Sequence, residues 1–194
     1  MLPGLISGAV VSETSAAVSA KARRRMTFTG AMALGVMSAD LRAAKVADAA
    51  DVVRVLRASR LRFLPYAPPA HSEAEYLEWV RASLLPSGGV TVATIDERVV
   101  GVLATRRTDD GSWIDQLYVE PEYCGRGVGS QLMNVALSSL RRPVRLHTFQ
   151  ENRGAHGFYE RFGFVAIKWG DGSENEEGCP DVVYELVDGI AIDA

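Results

Sequence analysis

The sequence predicts an α+β domain, a central mixed, mostly antiparallel sheet flanked by helices, and three observations carry that expectation. Apolar residues at helical spacing precede three β-rich runs, and the turns between those runs are short and polar, as antiparallel hairpins require. A glycine-rich loop then joins a strand to an amphipathic helix. With 194 residues, 47% hydrophobic and 23% charged, the chain can bury one core and still shape a small-molecule cleft.

In chain order, a strand is expected at Leu41–Ala44, then a helix over Ala47–Ser59 with Ala49, Val52, Val53 and Leu56 at helical spacing. Pro65, Pro68 and Pro69 mark a loop, after which Ser72 and Glu75 form a capping box for a helix that ends before Pro86. Strands at Val90–Ile95, Val99–Arg106 and Ser112–Val119, joined by Asp96-Glu97-Arg98 and Thr108-Asp109-Asp110-Gly111, form a meander. The glycine loop leads into a helix from Gly129 to Leu140, with Leu132, Met133, Ala136, Leu137 and Leu140 on one side. A strand at Val144–Phe149, a helix over Ala155–Phe162 stopped by Gly163, and strands at Phe164–Trp169 and Val182–Leu186 close the order.

Residues 1–36 differ in composition. They are rich in Ala, Ser and Gly, and they carry Lys21, Arg23, Arg24 and Arg25 against Glu13 alone, a net +3 that leaves −6 for residues 37–194. The positive charges follow the first apolar stretch, the wrong order for a secretory signal. The expectation is a disordered leader, or upstream sequence translated ahead of a start at Met37, followed by one domain over residues 38–188.

A net charge of −3 and a pI near 5.7 provide no general basic field, which argues against a nucleic-acid partner and accommodates a cationic one. Two cysteines, Cys124 and Cys179, point to a reducing compartment, read here as the cytoplasm. No apolar run approaches the roughly 18 residues that span a bilayer, so no membrane partner is expected.

Gly125, Gly127 and Gly129 let backbone N–H groups turn inward just where a helix supplies its positive end, which makes an anion site. The alternative is a tight turn without a ligand. The spacing excludes a dinucleotide fingerprint, since the sixth place counted from Gly125 is Ser130, and it lacks the Lys of a nucleoside-triphosphate loop.

Gln116-Leu117-Tyr118-Val119-Glu120-Pro121, followed by Gly125-Arg126-Gly127-Val128-Gly129-Ser130, resembles motif A of the GNAT acetyltransferases. Asn152-Arg153-Gly154-Ala155-His156-Gly157-Phe158-Tyr159-Glu160-Arg161-Phe162-Gly163-Phe164 resembles their motif B, and the likeness spans about residues 38–187. It implies the GNAT fold, acetyl-CoA as co-substrate, no metal, and acetyl transfer to a primary amine by direct attack in a ternary complex. By the same resemblance Leu117, Tyr118 and Val119 hold the pantetheine arm. Gly125, Arg126, Gly127, Val128, Gly129 and Ser130 hold the pyrophosphate, while Asn152 caps a helix and touches the arm, with capping alone as the alternative. The sequence departs from the family at Cys124, where Gln or Arg is usual.

The resemblance further implies Tyr159 as general acid for the leaving thiolate and the Val119 amide as a donor to the oxyanion. Asp115, on the strand of Leu117–Val119, is the candidate base for the acceptor ammonium. Core packing of Tyr159 and solvation of Asp115 are the alternatives. His71, His147 and His156 show no metal-ligand spacing and read as structural or surface residues. The acidic run Asp171–Glu177 could draw in a cation or form a solvated loop, and Phe63, Tyr66, Trp79 and Trp113 could line an acceptor pocket or pack in the core. A small-molecule amine is the expected acceptor, with protein lysines or N-termini as competitors. A non-catalytic acetyl-CoA sensor and an interaction module are the competing functions, and an exposed sheet edge would allow a homodimer.

Overall fold

The capping box expected at Ser72 is formed: Ser72 Oγ accepts from Glu75 N at 3.4 Å and Glu75 Oε2 accepts from Ser72 N at 2.8 Å, which fixes the start of the second helix. As expected, that helix ends before Pro86. It widens over Val80–Leu84 and closes with a tight turn, Leu85–Ser87, where a proline near the start of the turn leaves no N–H without a partner. The computed structural model describes residues 36–67 and 69–187. The expected leader therefore falls, except for Val36, outside the described residues, as does Asp188 at the far end of the expected domain.

The elements are β1 (Asp40–Ala43), α1 (Ala49–Phe63), α2 (Glu73–Trp79), β2 (Val90–Ile95), β3 (Arg98–Thr108), β4 (Gly111–Val119), α3 (Val128–Ser139), β5 (Val144–Phe149), α4 (Arg153–Arg161), β6 (Val165–Gly170) and β7 (Asp181–Leu186). They form one seven-stranded sheet in the order β1-β2-β3-β4-β5-β7-β6, antiparallel except for the β4–β5 pair. The architecture is thus the expected α+β one. β7 lies between β5 and β6, leaving β6 as a free edge that exposes Val165, Ile167 and Trp169.

Each face of the sheet buries its own apolar cluster. On one side α3 and α4 contribute Val128, Leu132, Met133, Ala136, Phe158 and Tyr159 against Leu103, Ile114, Leu117, Val119 and Leu146. On the other, α1 and α2 contribute Val52, Val55, Leu56 and Tyr76 against Val92, Val102, Ala104, Tyr118 and Phe149. The face-switching parity of a strand survives along β4 only because of a bulge. Ala104 pairs with Gln116 but Thr105 pairs with Ile114, so Asp115 is the extra residue, and Ile114 and Leu117 reach the same face. Gly101 permits close seating of α3, since a Cβ there would lie 2.9 Å from Leu132 Cδ1.

Candidate functional site

Two adjacent strands normally stay paired along their length, and β4 and β5 do not. Their parallel ladder runs through Ser112–Val144, Trp113–Arg145 and Ile114–Leu146 and then ends, while β4 continues to Val119 and β5 to Phe149. Beyond this apex the strands part as a wedge. Past Ile114 the edge of β4 turned away from β3 no longer pairs with β5, so this stretch can bind an extended polar ligand as an added strand would. Leu117, Tyr118 and Val119 belong to this stretch and are all fully buried.

The glycine loop lies at the open end of β4. A short turn, Pro121–Tyr123, leads to Gly125 at φ +73 and Gly127 at φ +86, both in the left-handed region, and Gly127 caps α3. Because Gly127 O accepts from Gln131 N, the free N–H groups of the first helical turn belong to Val128, Gly129 and Ser130. Cys124, at the place of the expected departure, turns its thiol to the carbonyls of Val119 and Glu120, both at 3.6 Å, and so tightens the turn. Beside the loop runs the chain at 36–39. Met37 N donates to Arg126 O at 2.9 Å, Gln131 Nε2 donates to Met37 O at 2.7 Å, and a Cβ on Gly127 would lie 2.9 Å from Val36 Cγ1.

On the α3–α4 side, Asn152 caps α4 by accepting from Ala155 N at 3.3 Å. One helical face later comes Tyr159, fully buried among Phe158, Phe164 and Tyr184, with ring centroids 5.6, 5.8 and 5.9 Å away. His156 donates from Nε2 to Phe149 O at 3.0 Å, and its Nδ1 lies 3.1 Å from Tyr184 Oη, so it ties α4 to β5 and β7. Burial, then the Glu160 carboxylate, push the Tyr184 phenol up to about 12.

The α1–α2 side is roofed by two loops that nothing in the sequence pairs. The segment between β6 and β7 reaches back so that Glu177 meets Arg60 at 2.7 Å, with side chains only 1% and 3% exposed, and Glu176 meets His71 at 2.9 Å. Cys179 Sγ lies 3.5 Å from Tyr66 O, and the Tyr66 ring stands edge-on to Phe149 at 6.0 Å. Burial opposes the Arg60 charge, yet Tyr118, Tyr76 and Glu177 outweigh it and the guanidinium is held protonated. Burial, reinforced by Glu151, pushes the Tyr66 phenol up. A cavity of about 280 Å³ opens between α1, α2 and their connection, lined by Arg57, Arg60, Leu61, Leu64 and Tyr76, apart from the wedge. Of the four expected pocket aromatics, the structure brings Tyr66 to the roof and Trp113 to the apex. Phe63 and Trp79 are partly buried against the α1–α2 cluster.

At the apex, Asp115 is partly exposed and both its oxygens accept from Arg106, at 3.1 and 3.2 Å. Opposite, His147 is the first β5 residue past the last paired one, and its ring stacks on Trp113 at 5.1 Å with 15° between planes. His147 and the Arg60–Glu177 pair escape sequence reasoning because their partners are remote in the chain. Among the described residues no group of three His, Cys, Asp or Glu could hold a metal ion, and no helix is long and apolar enough to cross a membrane.

The family model described as acetyltransferase (GNAT) matches residues 54–164. The chain is 31% identical over 104 residues to the uncharacterized N-acetyltransferase MJ1207 of Methanocaldococcus jannaschii, a match that covers 46% of this chain and 43% of that protein. It is 28% identical over 112 residues to the peptidyl-lysine N-acetyltransferase YjaB of Salmonella typhimurium, covering 57% and 72% respectively. The fold is similar to that of the PaiA N-acetyltransferase of Thermoplasma acidophilum solved in complex with coenzyme A, at 19% identity over 78% of this chain and all of that one, with a TM-score of 0.66.

Proposed function

The chain belongs to the acetyltransferase (GNAT) family, and we propose that it moves an acetyl group from acetyl-CoA to a primary amine by direct attack in a ternary complex. The observation that carries this reading is the wedge beyond Ile114 and Leu146, with a glycine loop and a helix N-terminus at its open end. The residues present suit the coenzyme. Gly125 and Gly127 at positive φ turn the loop back on a twelve-residue helix, so the N–H groups of Gly125, Arg126, Gly127, Val128, Gly129 and Ser130 are the donors for the pyrophosphate. The edge of β4 past the end of its ladder with β5, at Leu117, Tyr118 and Val119, is the strand for the pantetheine amides.

Acetyl-CoA, when bound, supplies an already activated thioester, so the protein's own contribution is positioning, charge stabilisation and proton handling. The Val119 region of the β4 edge offers backbone donors to the carbonyl oxygen. Tyr159 supplies a proton to the departing sulfur, and its ring is held by Phe158, Phe164 and Tyr184. Asn152 secures the start of α4 and so the position of Tyr159. Asp115 stands at the apex, where the acceptor nitrogen arrives, and its negative charge favours a cationic acceptor.

A small-molecule amine is the acceptor that the roof favours, since Tyr66 against Phe149 and Cys179 against Tyr66 cover the α1–α2 side and leave less room for a polypeptide. The Salmonella relative's peptidyl-lysine activity favours a lysine side chain as the second reading. Calorimetric titration with acetyl-CoA tests the coenzyme. Mass-spectrometric assays of polyamines and small amines against lysine peptides then separate the acceptors. A folded sample that binds neither acetyl-CoA nor a longer acyl-CoA would overturn the reading.

A further inference from the structure

An alkylammonium has a pKa near 10.4 and must lose a proton before its nitrogen can attack, so a base is needed where the acceptor meets the wedge. The loops over the α1–α2 side cover the Phe149 end of the wedge. Two titratable groups flank the apex, Asp115 on β4 and His147 on β5, each the first residue past the last paired one. Both oxygens of Asp115 already accept from Arg106. His147 is differently disposed.

The His147 side chain is 38% exposed, yet its Nδ1 is buried and makes no hydrogen bond, so Nε2 is the ring nitrogen available to an acceptor. Asp181 Oδ2, on β7, lies 3.6 Å from Nδ1, too far for a hydrogen bond but near enough to stabilise an imidazolium. The stack on Trp113 fixes the ring plane. Lys168 on β6 faces the ring with a positive charge, Asp115 faces it with a negative one, and Arg106 lies over the Trp113 ring at 5.8 Å. Burial pushes the imidazole below its ordinary 6.5 against the pull of Asp181 and Asp115, so the ring is neutral near neutral pH and can accept a proton.

We infer that His147 is the general base that takes the first proton from the acceptor ammonium through Nε2, with the nearby Asp181 charge favouring the imidazolium that forms; this rests on the transferase reading above. The nitrogen gives up two protons in all. The first passes to His147 and on to solvent, the N–C bond forms as the C–S bond breaks, and the second proton ends on the departing sulfur. No oxidant, reductant or metal is required for the balance.

The test compares two acceptors, n-butylamine, which is protonated near neutrality, and hydroxylamine, which is largely uncharged there. In H147Q and H147N the n-butylamine kcat should fall about 10²-fold or more, the scale of general-base catalysis, while the hydroxylamine rate changes less than about threefold. The wild-type kcat for n-butylamine should show an acid limb below pH 6.5, because activity is lost as the imidazole gains its proton, and the limb should be absent from H147Q and retained in D115N. Equal n-butylamine rates in wild type and H147Q overturn the proposal alone. So does loss of the hydroxylamine rate in both His147 variants, which assigns the residue to structure. A limb that survives in H147Q and vanishes in D115N returns the role to Asp115. A wild type that acetylates neither amine overturns this proposal as it stands, whereas a folded wild type that also binds no acyl-CoA fails the transferase reading itself.

Discussion

At Gly127 a side chain meets two obstacles at once, a φ of +86 that L residues rarely adopt and Val36 Cγ1 at 2.9 Å from the new Cβ. Gly127→Leu should therefore abolish the calorimetric signal for acetyl-CoA. It should also remove the upward Tm shift of about 5–10 °C expected from ligand at a hundred times its Kd. The glycine's conformational need was legible in the sequence, whereas Val36 as the neighbour was not, since ninety residues separate the two. Tyr159→Phe keeps the ring among Phe158, Phe164 and Tyr184 and removes only the hydroxyl. For a proton donor, kcat should drop about 10²-fold or more with the KM for acetyl-CoA nearly unchanged, measured by thiol release. The motif named Tyr159 directly; it could not name His147, whose significance comes from the end of a ladder between two strands.

The element that presents the loop is α3, and its seating depends on a residue of β3. A side chain at Gly101 would meet Leu132 Cδ1 at 2.9 Å and Val128 Cγ1 at 3.2 Å. Gly101→Val should lower stability by about 1–3 kcal/mol in urea unfolding and weaken acetyl-CoA binding as well, because Val128 opens the helix whose N–H groups are the proposed phosphate donors. Asn152→Ala removes the cap of α4 and should cost about 0.5–2 kcal/mol, read in the same unfolding experiment. Elements of this kind were readable because their signals are local. Both the Val90–Ile95 and Val144–Phe149 strands fall where alternation and turn residues put them, and the box at Ser72 forms as spelled. The run of the second helix past Trp79 toward Pro86 was read, but its widening over Val80–Leu84 and the tight turn Leu85–Ser87 that carries Pro86 were not, because packing of Val80, Leu84 and Leu85 in the α1–α2 cluster sets them.

Across the whole molecule, the Arg60–Glu177 pair joins α1 to the loop between β6 and β7, and it is almost wholly removed from water. Arg60→Met would strand the Glu177 charge and should destabilise by about 3–5 kcal/mol in chemical unfolding, while Arg60→Met with Glu177→Leu should recover most of the loss. If the double variant remains as unstable as the single one, the roof is not held by the charge pair. Sequence by itself determined the α+β class, the meander, the four helices and the glycine loop, because helical and strand periodicity, capping and turn chemistry act between residues a few positions apart. Only the tertiary structure decided that β7 slips between β5 and β6, that β4 and β5 part beyond Ile114 and Leu146, and that Arg60, Glu177, Asp115 and His147 come to stand around the resulting wedge. Those outcomes depend on strand order, register and the pairing of buried charges across the chain, and such long-range choices leave no periodic signature in the sequence.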